Sequence, residues 1–353
     1  MRGILFLLTL AFVAIIFIQY SPKITDENLL TETEIVEEVV VVNNEVDTNQ
    51  SEETIENIEL SGIGTWVGES VYELIKYFGE PNRIDLSAYD YDWYIYNENL
   101  NEYVQFGVLN DEVVTVYVIG DELKNGPFTI GEQYETLNKI LNFQEKIQIS
   151  YESGSYRFQL TEEELQVRPV IEVDNIYVQL YFDAFEETLS SVRYLNAETL
   201  LKQRPYELVY RGSLIDPKSL SSEEWKLVEE GTNEQIIDFT NIIRQRFGLS
   251  PVEWDDETSE VAYSHSKDMS VNDFFSHTSP TTGGLSERLT ESQILYRLAG
   301  ENIAAKYVDG LAAVEGWLNS EGHRNTLLNE RFTHLGVGVY EKYYTQNFIQ
   351  SWR

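Results

Sequence analysis

Four histidines, His265, His277, His323 and His334, are the whole supply of imidazole in a chain of 353 residues, and all fall in its final third. Near neutral pH an imidazole can offer a lone pair to a metal or exchange a proton, so this clustering marks where chemistry would sit. His277 stands in "FFSHTSPTTGGLSERL", between an aromatic pair and a loop rich in Thr, Pro and Gly, and His323 stands in "NSEGHRN". Two imidazoles converging from separate segments could hold Zn²⁺ or another divalent cation, with a carboxylate orienting one ring through its free N–H. Two protein nitrogens give only a weak, open site. The spacing of His277 and His323 is not that of an HExxH helix, so these residues alone do not identify a metalloenzyme. Nucleophilic catalysis has little support, because there is no cysteine, no Gly-x-Ser-x-Gly elbow, and no Ser spaced near a His and an Asp.

The elements that must position these rings are legible as periodic runs. After Gly231 the residues Ile236, Phe239, Thr240, Ile243 and Phe247 form one helical face, which "GLSP" stops. A second helix is expected from about Asp256, with Val261, His265 and Met269 along one stripe and His277 just past its end. On that stripe His265 reads as a packing or hydrogen-bonding residue rather than a ligand. His334, in "FTHLGVGV", enters a strand and reads as structural.

The stretches "HSKDM", "FFSH", "GENIA", "WLNSEGHR" and "HLGVGV", in that order over about residues 231–353, resemble the CAP superfamily of cysteine-rich secretory proteins, antigen 5 and pathogenesis-related proteins, in its bacterial form. The resemblance implies an α-β-α sandwich with a central cleft, within an α+β chain. It also implies a cleft lined by two His and two Glu. By motif these fall on His277, Glu301 and His323, while the second Glu falls by strict spacing on Ser320, with Glu321 as its acidic neighbour. Glu301 then either accepts hydrogen bonds or serves as the base of a metal-assisted hydrolase. Asn302 is expected to cap the segment after Glu301.

Before this region the chain changes character. Residues 4–18 are apolar apart from Thr9, with Arg2 before them and no small-x-small cleavage site after them, so 1–23 reads as an uncleaved signal anchor in preference to a cleaved signal peptide. The charge asymmetry places the remainder outside the cytoplasm, anchored to the membrane, with secretion as the alternative. Residues 24–61 hold no Lys or Arg and read as an acidic tether, with the valine run 39–42 as a possible strand or docking point. Residues 62–200 read as a helix-plus-antiparallel-strands unit occurring twice, on the echo of "IGTWVGESVYELIKYFGEP" by "FTIGEQYETLNKILNF". This region resembles the domain that accompanies CAP modules in spore-forming Gram-positive bacteria. Residues 201–230 read as a connector and 231–353 as the CAP domain, each folded part being long enough to own a core. The alternating aromatics Tyr89, Tyr91, Trp93, Tyr94 and Tyr96 read as sheet packing, with a carbohydrate or peptide platform as the rarer alternative.

A net charge of −35 leaves nothing to neutralise a phosphate backbone, which excludes nucleic acid as a partner and disfavours anionic membrane surfaces. The leading functional reading is therefore a non-catalytic module that binds a small molecule, a lipid or an envelope component. A metal-dependent hydrolase using the same cleft, or a surface scaffold, are the alternatives.

Overall fold

The computed structural model describes residues 58–352, so the anchor at 1–23 and nearly all of the tether, including the valine run, lie outside the described residues. Among the described residues no helix is long and apolar enough to cross a membrane. The N-terminal part begins with a short 3-10 helix (Gly62–Trp66), followed by α1 (Val71–Phe78), which Ser70 caps by accepting from the Glu73 N–H. It continues through β1 (Arg83–Leu86), β2 (Asp92–Tyr96), β3 (Val104–Leu109) and β4 (Glu112–Val118). The second unit runs α2 (Tyr134–Leu141), β5 (Lys146–Tyr151), β6 (Gly154–Gln159), α3 (Glu162–Val167), β7 (Val170–Val173), β8 (Ile176–Asp183) and β9 (Thr188–Leu195). Seven of these strands form one antiparallel sheet in the order β1-β2-β3-β4-β9-β8-β7, so the central hairpins of the two units meet at β4 and β9. The tight β3–β4 turn places Asn110 and Asp111 at φ 50° and 66°, the left-handed conformation that these residue types tolerate in a two-residue hairpin.

Beyond β9 lie α4 (Ala197–Gln203) and β10 (Glu207–Arg211), and β10 completes a three-stranded sheet with β6 and β5. The segment expected as a connector thus contributes a strand to the N-terminal part. The next helix, α5 (Ser222–Arg246), starts at Ser222 rather than after Gly231. A capping box opens it: the Ser221 side chain accepts from the Glu224 N–H, and Glu224 accepts from the Ser221 N–H. Gly231 lies inside the helix, and a Cβ there would stand 2.6 Å from the Cβ of Asp85, so its lack of a side chain lets α5 pass close to β1.

The C-terminal part continues with β11 (Glu253–Trp254), α6 (Asp256–Val271), α7 (Leu285–Glu291), β12 (Tyr296–Ala305), α8 (Gly310–Leu318), α9 (Glu321–Leu327), β13 (His334–Tyr340) and β14 (Tyr343–Ser351). Its sheet has the order β11-β13-β14-β12, with β12 at one edge. On one face α6 lies directly on β13, where Gly336 and Gly338 leave room for the helix backbone: a Cβ on Gly338 would be 1.8 Å from the Tyr263 nitrogen. Ser259 and Ser266 fasten the contact by donating to the carbonyls of Val337 and Gly338. On the other face α5 joins α8 and α9, and Thr240 accepts from Gln346 of β14. This is the expected α-β-α sandwich.

The largest apolar cluster crosses from one part to the other. Tyr89, Tyr91, Trp93, Tyr103 and Tyr117 of the N-terminal part share it with Ile236, Phe239, Leu311, Trp317 and Phe348 of the C-terminal part. Phe239 meets Tyr103 and Tyr117 at ring centroids 5.6 and 5.2 Å apart. The alternating aromatic strand is therefore divided by its pleat. Tyr91 and Trp93 face the seam, while Tyr94 and Tyr96 join the core on the other side of the sheet.

Candidate functional site

His277, Glu301 and His323 come together at the edge strand β12. Helix α6 ends at Val271, and the turn that follows carries His277, whose side chain is 35% exposed, back towards the strand. Its Nδ1 lies 3.0 Å from Oε1 of Glu301. Because an ionised carboxylate can only accept, Nδ1 carries the hydrogen, which in the neutral ring leaves the lone pair on Nε2. Glu301 is 4% exposed, and its other oxygen, Oε2, accepts from the Arg288 guanidinium of α7. Burial opposes the charge on Glu301, but the bond from His277 and the neighbouring Arg288 outweigh it and hold the carboxyl below its ordinary range. Both oxygens are therefore engaged by protein donors.

Arg288 is a site residue that the sequence pattern does not single out. It is 4% exposed, and its Nη1 also donates to the carbonyls of His277 and Gly283 at 3.0 and 2.9 Å. One guanidinium thus fixes the main chain at His277 and the carboxylate that orients the ring. Its signal is present in "GGLSERL", as the one cation of a short amphipathic helix, but nothing in the spacing says that it turns inward.

His265 is buried on α6, as expected for a packing or hydrogen-bonding residue. Its Nε2 is 3.0 Å from the Ser276 carbonyl, which requires Nε2–H and fixes the turn just before His277. Burial lowers its pKa, and its Nδ1 has no partner among the described residues. Nε2 is also 4.0 Å from Glu301, so His265 backs the carboxylate without bonding it. His334 opens β13 as expected, with Nδ1 2.8 Å from the Thr333 hydroxyl.

His323, on α9, presents its ring to His277 at a centroid separation of 6.2 Å. Burial, with His277 adding to it, pushes its pKa down to about 4, so the ring is neutral at physiological pH. Its Nδ1 is 2.9 Å from the hydroxyl of Ser320, the position that strict spacing gave for the fourth lining residue. Glu321 is exposed in the first turn of α9 and makes no hydrogen bond or ion pair with the histidine pair. Asn302, expected as a cap, instead lies within β12, fully buried, and donates to the His323 carbonyl at 3.2 Å and to Gln346.

Among the described residues neither Nε2 has a protein partner. In their neutral form the two rings fit as two donors to a divalent cation, with the carboxylate fixing the orientation of the His277 ring. Among the described residues no group of three His, Cys, Asp or Glu side chains is placed to hold a metal ion. A cavity of about 20 Å³, room for one water, lies at the seam between the parts, lined by Tyr89, Trp225, Gln235 and Asp309 among others. None of His277, Glu301 and His323 lines it.

Comparisons with known proteins agree with this architecture. Residues 67–206 match the CAP-associated N-terminal family, and residues 237–352 match the cysteine-rich secretory protein family. An uncharacterized membrane protein of Bacillus subtilis (strain 168), YlbC, is 46% identical over 352 residues, covering 100% of this chain and 99% of its own. The crystal structure of an extracellular protein containing an SCP domain from Bacillus anthracis is similar with a TM-score of 0.79 and 45% identity, over 88% of this chain and 100% of that one. A cysteine-rich secretory protein from Staphylococcus aureus shares the fold, with a TM-score of 0.74 at 24% identity, over 83% of this chain and 96% of that one. The chain belongs to the cysteine-rich secretory protein (CAP) family, in the form that carries a CAP-associated N-terminal domain.

Proposed function

We propose that this protein is a membrane-tethered binding module working outside the cytoplasm, and that it engages a small molecule, a lipid or an envelope component at the His277–His323 pair without transforming it. The observation that carries this reading is the state of Glu301. Its two oxygens are held by His277 and Arg288, and its pKa is depressed, which suits a carboxylate that orients a ring and not one that takes a proton from water. The same observation weakens the hydrolase alternative, which needs Glu301 as the base. The location is supported by the apolar segment at 4–18, by the name of the Bacillus subtilis relative as a membrane protein, and by the similarity to a Bacillus anthracis protein described as extracellular.

A divalent cation such as Zn²⁺ is a fitting but weak companion of this site, bound through the two Nε2 atoms, and it would supply a positive centre for an anionic or carbonyl group of the ligand. The test uses the full chain, its apolar segment kept in mild detergent, with Gram-positive wall fragments, with and without Zn²⁺. Co-sedimentation that His277→Ala and His323→Ala each abolish is the expected result. Release of soluble wall fragments that Glu301→Gln abolishes would replace the binding reading with the hydrolase. Sedimentation unaffected by either histidine would remove the pair from the function.

A further inference from the structure

Helix α8 runs along β8 and β9 of the N-terminal domain and is tied to them along its length. At its start Asp309 caps the helix by accepting from the Ala312 N–H at 3.0 Å, and it takes two bonds, 2.9 and 2.8 Å, from the fully buried Arg193 of β9. Further along, Glu315 accepts from Ser190 and Ser191. One turn later Asn319 accepts from the Ala184 N–H at 2.7 Å and donates to the Phe182 carbonyl at 2.8 Å. Past the corner, Arg324 of α9 places Nη1 2.8 Å from both oxygens of Asp183 and Nη2 3.4 Å from Glu186. Its guanidinium lies against the rings of Phe185 and Phe247, at 4.7 and 4.9 Å from their centroids. Ser320 and His323 occupy the stretch between these two grips. Among the described residues the side chain of His323 bonds only Ser320, a member of the same corner, so the direction of its ring follows wherever the corner is held.

We propose that the β8–β9 turn of the CAP-associated domain is a positioning element of the histidine site: Asp183 and the neighbouring backbone, acting through Arg324 and Asn319, hold the corner that presents His323 to His277. A guanidinium nitrogen held between both oxygens of a carboxylate and a side-chain amide that both donates and accepts are directional contacts, unlike the apolar seam around them, and both end on residues flanking His323. The CAP-associated domain thereby acts on the site without touching it, and a partner that pulled on the 183–187 turn would change the separation of the two rings. This deepens the binding reading and rests on it for what the pair engages; the geometry of the corner is independent of any ligand.

The test reads that geometry directly. In the full chain the histidine rings are selectively isotope-labelled, and at neutral pH the His277 and His323 rings should show mutual cross-relaxation. Asp183→Asn keeps the acceptor that the Phe185 and Glu186 N–H groups use in the turn but removes the charge that Arg324 grips. Asn319→Ala removes the second grip. Each should lose the inter-ring cross-peak and move the His323 ring nitrogen shifts, while the His265 and His334 signals stay in place. Leu208→Ala, in the separate core around the three-stranded sheet, should lower the melting temperature and leave the His323 signals unchanged. Spectra of Asp183→Asn and Asn319→Ala identical to the parent would overturn the proposal, as would an equal disturbance from Leu208→Ala. Because no ligand enters the measurement, failure here leaves the binding reading standing, and failure of the sedimentation test leaves this one standing.

Discussion

Glu315 gives the seam between the two domains a measurable dependence on pH. Its side chain is buried on α8, with Oε1 accepting from the Ser190 and Ser191 hydroxyls at 3.0 and 2.5 Å, and with Oε2 lacking a partner among the described residues. Burial raises its pKa from 4.5 to about 7, against the lowering effects of Ser191, Arg246 and Ser190. The folded protein therefore holds this proton more tightly than the unfolded chain does. The stabilisation is fully present below about pH 4.5 and is lost as pH rises through about 7. At about 1.4 kcal/mol per pKa unit, the gap corresponds to roughly 3 kcal/mol. Glu315→Gln keeps an acceptor for both serines and has no proton to lose. Parent and variant should unfold alike in urea at about pH 4, and by about pH 8 the variant should be more stable by roughly 3 kcal/mol, or about 6 °C in melting temperature for a body of this size. Taking the difference between parent and variant cancels the other titrating groups. A difference that is the same at both pH values would refute the argument. It would mean that the carboxylate is ionised in the fold and balanced by Arg246.

The remaining expectations concern the site and the seam. Arg288→Met strands the buried Glu301 carboxylate and should cost about 3–5 kcal/mol in urea unfolding, with much of the loss recovered in the double variant with Glu301→Gln; a cost under about 1 kcal/mol would show that the carboxylate does not depend on Arg288. Residues 231–353 expressed alone lack the first turns of α5 and leave Phe239 without Tyr103 and Tyr117, so near-ultraviolet dichroism should show the loss of fixed aromatic packing. A cooperative, native-like melt of that fragment would show that the shared cluster is dispensable.

How far the sequence discloses these features depends on whether the governing interaction is local. The ends of α6, the stop of α5 at Phe247 and the β3–β4 turn follow from residues within a few positions of one another, and each is legible. The start of α5 is equally local, since "SSEE" at 221–224 is a capping-box pattern, but the glycine ten positions later mimics a helix boundary. Gly231 is a packing residue whose reason, Asp85, is far away in sequence. Arg288 fails to stand out for a related reason. A buried arginine looks like any surface polar residue until the partner is placed. The clamp by Asp183, Asn319 and Arg324 joins segments more than a hundred residues apart, and no periodicity or motif encodes such a pairing.

The pair Glu301 and Asn302 shows how one short strand can serve a site assembled from both layers of the sandwich. Successive side chains of a strand point to opposite faces. Glu301 therefore reaches the layer of α6 and α7, where it meets His277 and Arg288, and Asn302 reaches the layer of α5, α8 and α9, where it meets Gln346 and the His323 carbonyl. Because β12 is the sheet edge, both histidines can come around it towards each other with no further strand between them. Reversing the order of Glu301 and Asn302 would keep composition and local propensity while sending the carboxylate towards Gln346 and taking from Arg288 its ion pair with Glu301. Adjacency in sequence, with the strand's alternation, is thus what lets one edge hold a ring on one side and a backbone carbonyl on the other. The site accordingly inherits two separate supports: His277 depends on the turn fixed by His265 and Arg288, and His323 on a corner that the CAP-associated domain holds.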